Sequence, residues 1–141
     1  RTMPPDLEFR RRTSRPYPDV INSSLAVGYG MLFGNACVSA VGAGLDPEIG
    51  FLNKGSGGLI YDIIEPFKTA MIDRPLLHFI RQGINPSDYE CSPGRCILSD
   101  DLLSRVTRLF HASIRQEVLD EQVLVMRDAL LKGADFYVVK I

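Results

Sequence analysis

One run constrains the fold of this chain more than any other: SLAVGYGMLFGNACVSAVGAGL, residues 24–45, carries no charged side chain. It is long enough to cross a bilayer as a helix. However, Asn35 and the glycines Gly28, Gly30, Gly34, Gly42 and Gly44 interrupt its apolar character, and the run predicts a buried central helix instead. Asn22 or Ser23 is the expected N-cap, Leu25, Tyr29, Leu32, Phe33, Ala36 and Ala40 follow helical spacing, and Gly42 with Gly44 ends the element. An interior glycine costs a helix about 1 kcal/mol relative to alanine. Something must offset that cost, and close backbone packing at Gly30 and Gly34 is the expected gain.

The remainder reads as one helical domain. With 141 residues, 45% of them hydrophobic, the chain can build one core and is short for two. Residues 1–20 hold Pro4, Pro5, Pro16 and Pro18 among charges, which predicts an extended basic arm, and residues 21–141 form the α-helical domain. A second helix is expected from Leu59 to Ala70 with Pro66 inside it, and a third from a capping Asp73, with Pro75 just inside, to Gly83. Tyr89 to Leu98 around Pro93-Gly94 reads as a small hairpin. Ser99 caps the next helix, which carries Leu102, Val106, Leu109, Phe110 and Ile114. The last helix runs from Glu117 to Lys132, with Leu119, Val123, Met126 and Leu130 on one stripe and Gly133 as its stop. The expected fold class is therefore mainly α, a helical bundle with one small β-hairpin.

The formal net charge of -1 excludes a polycation that binds nucleic acid by bulk charge. Binding of that kind needs local patches, and Arg10, Arg11, Arg12 and Arg15 supply one candidate. Three cysteines fit a reducing compartment, and Cys91 and Cys96, which could face each other across the hairpin, are expected to be small core residues and not a structural disulfide.

The chemistry-bearing stretch is GFLNKGSGGLIYDIIEPFK, residues 50–68. Asp62 and Glu65 stand three apart on an apolar helix, so they are expected to share a face. Two like charges there repel and resist desolvation unless a cation lies between them, and oxygen ligands suit Mg²⁺ or Mn²⁺. The simpler alternative is that both acids lie early in a helix, offset its dipole and face water. Pro66 lacks the N–H that would bond the Asp62 carbonyl, which loosens the helix beside the pair. Lys54, Lys68 and Arg74 flank the carboxylates, as a phosphodiester substrate would require, or are solvated charges. Asn53 reads as a turn residue, and His78 and His111 as ordinary helix residues.

Two stretches taken in order, VINSSLAVGYGMLFGNACVSAVGAGLDPEIGFLN and GLIYDIIEPFK, resemble the integrase of CRISPR spacer acquisition, CRISPR-associated protein one. CILSDDLLSRVTRLF resembles the helix that follows the family's small hairpin. The resemblance implies a DNA endonuclease and integrase dependent on Mg²⁺ or Mn²⁺, which inserts captured DNA into a repeat array by 3′-hydroxyl attack on a phosphodiester. It implies that Glu65 is a metal ligand and catalytic residue, that Asp62 lines the same site, and that Asn53 stands where the family has a histidine ligand. The family's first glutamate ligand belongs upstream of the arginine arm, so the chain is expected to be the helical C-terminal domain of a larger β + α protein, holding an incomplete site.

If the arm at Arg10, Arg11, Arg12 and Arg15 continues onto the cleft edge through Lys54, Lys68 and Arg74, these seven cations form a track for a duplex backbone, and double-stranded DNA (captured fragment and repeat) is the partner the resemblance implies. A homodimer, a small ferredoxin-like second adaptation protein and a cytoplasmic location are also implied. A non-catalytic DNA or protein-interaction scaffold, and the related integrase of a mobile element, are the competing readings.

Overall fold

The computed structural model describes residues 19–48 and 58–141. Residues 1–18 and 49–57, which include the arm arginines, Asn53 and Lys54, lie outside the described residues. The described residues form helices α1 (Val20–Gly42), α2 (Gly58–Ile64), α3 (Arg74–Arg81), α4 (Asp100–Ser113) and α5 (Gln116–Lys132), with strands β1 (Tyr89–Ser92) and β2 (Arg95–Leu98). The mainly α expectation with one hairpin holds. Contacts divide the chain into two compact units, Arg1–Tyr29 with Ala70–Ser113 and Gly30–Thr69 with Ile114–Ile141. The long helix α1 contributes its first part to one and its second part to the other.

In the first unit, α1 begins earlier than expected. The cap is Asp19 rather than Asn22 or Ser23: its Oδ1 accepts the Asn22 N–H at 2.7 Å and its Oδ2 the Asn22 side-chain amide at 2.9 Å. A carboxylate three residues before the first donor it can reach satisfies one of the unpaired amides of the first turn, so Asp19 and Val20 belong to the helix start and not to the arm. Ser23, buried, donates instead to the Cys96 carbonyl at 2.9 Å and ties α1 to the hairpin.

The hairpin pairs Tyr89 with Leu98 and Ser92 with Arg95. Pro93 presets the first turn residue, and Gly94 takes φ 76° at the second, where a side chain would be strained. Cys91 and Cys96 stand directly opposite and are disulfide-bonded, which corrects their reading as unpaired core residues. The register decides this, since a directly opposed pair is within disulfide reach. Ser99 caps α4 as expected, its Oγ accepting the Leu102 N–H at 3.0 Å. α4 buries Leu102, Val106 and Phe110 against a helical face that presents Ile72, Leu76 and Ile80.

Glycine packing departs from expectation. Gly30 and Gly34 are exposed, and a Cβ placed on either meets nothing within 4 Å among the described residues. The close approach is at Gly28, where a Cβ would stand 2.6 Å from Ile72 Cγ2 and 2.8 Å from Phe110 Cζ. Only a glycine lets those side chains reach the helix backbone.

The second unit buries Leu32, Ala36 and Ala40 of α1, Leu59, Ile60, Ile63 and Ile64 of α2, and Leu119, Val123 and Met126 of α5. α1 is long and apolar enough to cross a membrane by length and composition. Of its apolar window 33% is buried among the described residues, and Val38 and Val41 are exposed. Gln116 Nε2 donates to the Asn35 carbonyl at 3.1 Å and to Ser39 Oγ at 2.6 Å, while Ser39 donates to Asp120, so a polar strap joins α1 to α5. Gln122, fully buried, holds the C-terminal segment by accepting the Val139 N–H at 2.8 Å and donating to the Tyr137 carbonyl at 2.9 Å. α5 stops at Gly133 in the left-handed conformation, as expected.

Candidate functional site

The chain between α2 and α3 changes winding twice. α2 ends at Ile64, a 3₁₀ turn spans Glu65–Phe67 with Pro66 in its first turn, and a π turn spans Thr69–Asp73. Pro66 has no N–H for the Asp62 carbonyl, so the α-helical ladder stops where the carboxylates lie. Asp73 stands immediately before α3 with Pro75 just inside, as expected, but it does not cap the helix. Its φ of -61° and ψ of -50° are helical, its side chain caps nothing, and it accepts a hydrogen bond from the Tyr29 hydroxyl within the first unit.

Asp62 and Glu65, expected to share one environment, differ in exposure. Asp62 is buried, at 6% exposed, whereas the Glu65 side chain is 61% exposed. Residues 61, 65, 66 and 69 form the outward stripe of this segment, and Asp62 lies beside it on the covered side. Lys68 Nζ reaches Glu65 Oε2 at 3.1 Å, so the flanking lysine is a partner of the exposed carboxylate and not only a solvated charge. One turn before Glu65, the exposed ring of Tyr61 leans on Phe33 with centroids 5.2 Å apart. Residue spacing alone points to neither that aromatic pair nor the polar strap on α5.

This arrangement offers a solvent-accessible carboxylate held by an ammonium group, with a second carboxylate withdrawn beside it. Its oxygen donors suit a hard divalent cation. Among the described residues, no three His, Cys, Asp or Glu side chains converge to hold a metal ion. Arg74 belongs to the other unit. His78, whose Nε2 lies 3.2 Å from the Gln82 amide, and His111 are surface helix residues and join no such cluster.

Similarity to known proteins is extensive. The family model of CRISPR associated protein Cas1 matches residues 1–112. A Cas1 protein of Methanospirillum hungatei JF-1 is 39% identical over 142 residues, covering 99% of this chain and 46% of its own length. A CRISPR-associated endonuclease Cas1 of Thermus thermophilus is 34% identical over 114 residues, 78% of this chain and 36% of its own. Among solved structures, a Cas6-RT-Cas1–Cas2 complex superposes with a TM-score of 0.85 at 22% identity, covering 98% of this chain and 17% of that one. A casposase bound to integration product gives 0.82 at 21% identity, covering 94% and 43%. These likenesses establish the fold. The chain spans less than half the length of the curated relatives it matches.

Proposed function

The chain belongs to the CRISPR-associated Cas1 family, and on that premise we propose that it is the helical part of a DNA endonuclease and integrase of CRISPR adaptation. The reading is carried by Glu65, an exposed carboxylate braced by Lys68 beside the buried Asp62, inside the stretch the family model covers. Glu65 and Asp62, with Asn53, would hold Mg²⁺ or Mn²⁺. Such an ion, when bound, polarises a scissile phosphate and stabilises the charge that develops on it. Lys68 is a positioning residue: it orients the Glu65 carboxylate through their 3.1 Å ion pair, and its own charge faces an incoming phosphodiester. Asn53 brings an amide oxygen where the family has a histidine, so the nitrogen donor and proton carrier are missing.

The proposed substrate is double-stranded DNA, as captured fragment and repeat, contacted by Arg10, Arg11, Arg12, Arg15, Lys54, Lys68 and Arg74. Proposed partners are a second copy of the protein and the small Cas2-type adaptation protein named with Cas1 in the superposed complexes. A cytoplasmic location follows from work on DNA.

With one ligand changed and another expected upstream, the 141-residue chain should show little strand transfer or cleavage of a labelled duplex in Mg²⁺ or Mn²⁺. Robust metal-dependent activity that Glu65→Ala abolishes would overturn the incomplete site and leave the enzyme assignment standing. Asn53 also favours a second reading, a DNA scaffold of the same family without catalysis. Titration of the Asn53→His protein separates the two, because tighter Mn²⁺ binding that depends on Glu65 requires a site able to hold metal.

A further inference from the structure

Cys91 and Cys96 stand opposite each other at a position of the hairpin where the ladder makes no hydrogen bonds. Their Cα atoms are 4.0 Å apart, nearer the about 4.5 Å of such a pair than the about 5.5 Å of one that exchanges ladder bonds. The Cys96 carbonyl agrees with this: it points out of the ladder and accepts the Ser23 hydroxyl of α1 at 2.9 Å. Side chains of such a pair lie close together on one face of the hairpin. Their closeness is set by the strand register, the Pro93-Gly94 turn and the Ser23 tie, and none of these passes through the sulfurs. The two thiols therefore stay opposed when the bond opens and can close it again without movement of the backbone.

The two residues differ in access. Cys91 is exposed, whereas Cys96 is 7% exposed and covered from solvent. An incoming thiolate reaches only the first of them, and access is one of the factors that decide which sulfur of a disulfide is attacked. On the Cas1 reading the chain works on DNA among intracellular thiols, where disulfides are transient or redox-sensing and not permanent staples. An exposed bond in that setting exchanges with the thiol pool. This reconciles a composition that fits a reducing compartment with a hairpin that pairs two of its three cysteines.

We propose that Cys91–Cys96 is a reversible thiol–disulfide site, at which a low-molecular-weight thiol of the glutathione class is taken up on Cys91 and expelled by Cys96. In the reducing direction a thiolate attacks Cys91 Sγ, a mixed disulfide forms there, and the electron pair of the old S–S bond leaves on Cys96 Sγ, which takes a proton from water. A second thiolate then attacks the sulfur of the bound thiol, releasing the small disulfide and the Cys91 thiolate, so two electrons pass from two thiols to the protein. In the oxidising direction a small disulfide loads Cys91, and the Cys96 thiolate, held opposite, displaces the added thiol as a near-intramolecular step. The bond is a clasp on the hairpin: once it opens, β1 and β2 are held by their ladder and β2 by the Ser23 tie. The inference rests on the Cas1 reading for its compartment alone and uses none of the DNA or metal residues.

The test places the full chain, with Cys37→Ser to remove the remaining thiol, in mixtures of reduced and oxidised glutathione, quenches it with acid and reads the intact mass. The folded chain should pass from disulfide to dithiol as the mixture is made more reducing and return when it is reversed, and peptide mapping should place the transient glutathione adduct on Cys91. With Cys96→Ser added, the adduct on Cys91 should accumulate; with Cys91→Ser instead, uptake on the covered Cys96 should be at least about tenfold slower. Amide exchange at Ile97 should be at least about tenfold faster in the dithiol form, because the closed loop no longer restrains the opened hairpin. A bond that survives reduced glutathione in the folded chain and opens only in denaturant overturns the proposal, as does a chain that stays dithiol in oxidised glutathione. An adduct mapped to Cys96 overturns the role of Cys91, and equal amide exchange in the two forms overturns the clasp. No DNA enters these measurements, so loss of the Cas1 reading in an integration assay and loss of this exchange are separate results.

Discussion

Replacing Gly28 by alanine places a methyl group into the packed centre of the first unit. Its Cβ would stand 2.6 Å from Ile72 Cγ2, 2.8 Å from Phe110 Cζ and 2.9 Å from Phe110 Cε2, distances at which something must move. Neither neighbour moves cheaply, because Ile72 and Phe110 are both fully buried and Phe110 is a rigid ring. Overpacking of this kind costs about 1 to 3 kcal/mol, and three contacts under 3 Å place this site at the upper end. Alanine returns about 1 kcal/mol through its better helix propensity, which leaves a net loss of about 2 kcal/mol. Gly34→Ala is the internal control: on the same helix its Cβ meets nothing within 4 Å among the described residues, so the propensity term acts alone and should stabilise by up to about 1 kcal/mol. Urea unfolding followed by far-ultraviolet circular dichroism measures both. A midpoint for Gly28→Ala at or above that of the unmodified protein would refute the packing argument, as would two substitutions that shift the midpoint in the same direction.

Asp19→Ala should cost about 1 kcal/mol by removing the carboxylate that accepts the Asn22 amide, whereas Ser23→Ala, which alters a tie to the hairpin, should leave α1 capped; amide exchange of Asn22 distinguishes them. Reducing the Cys91–Cys96 bond should lower stability by about 2 kcal/mol, the entropy of closing so short a loop, and thiol titration of the denatured chain should count one group before reduction and three after. Burial, with the nearby Glu48 carboxylate adding to it, pushes the Cys37 thiol up, so alkylation of the native protein at neutral pH should be slower than that of an exposed cysteine and should rise on the alkaline side. The backbone N–H of Glu117 and then the Arg115 guanidinium hold the Glu117 carboxyl below its ordinary value. A depressed carboxyl stabilises the fold above the unfolded value of about 4.3 and loses that contribution as pH falls through the folded one, so Glu117→Gln should flatten the acid limb of the stability curve.

Elements set by neighbours a few residues away were legible in the sequence. Pro93-Gly94 fixed the hairpin turn, Ser99 the start of α4 and Gly133 the end of α5, because capping and turn chemistry act within one turn of backbone. The missing N–H of Pro66 likewise foretold the loosened helix beside Asp62 and Glu65. What the chain meets at long range was decided only by the tertiary structure. Gly28, not Gly30 or Gly34, became the close-packed glycine because Ile72 and Phe110, distant in sequence, arrive against that side of α1. Strand register turned two cysteines into a pair. Asp62 and Glu65, equivalent by spacing, were separated by burial because the side of the helix that packing covers is a property of the whole unit, and no local rule assigns it.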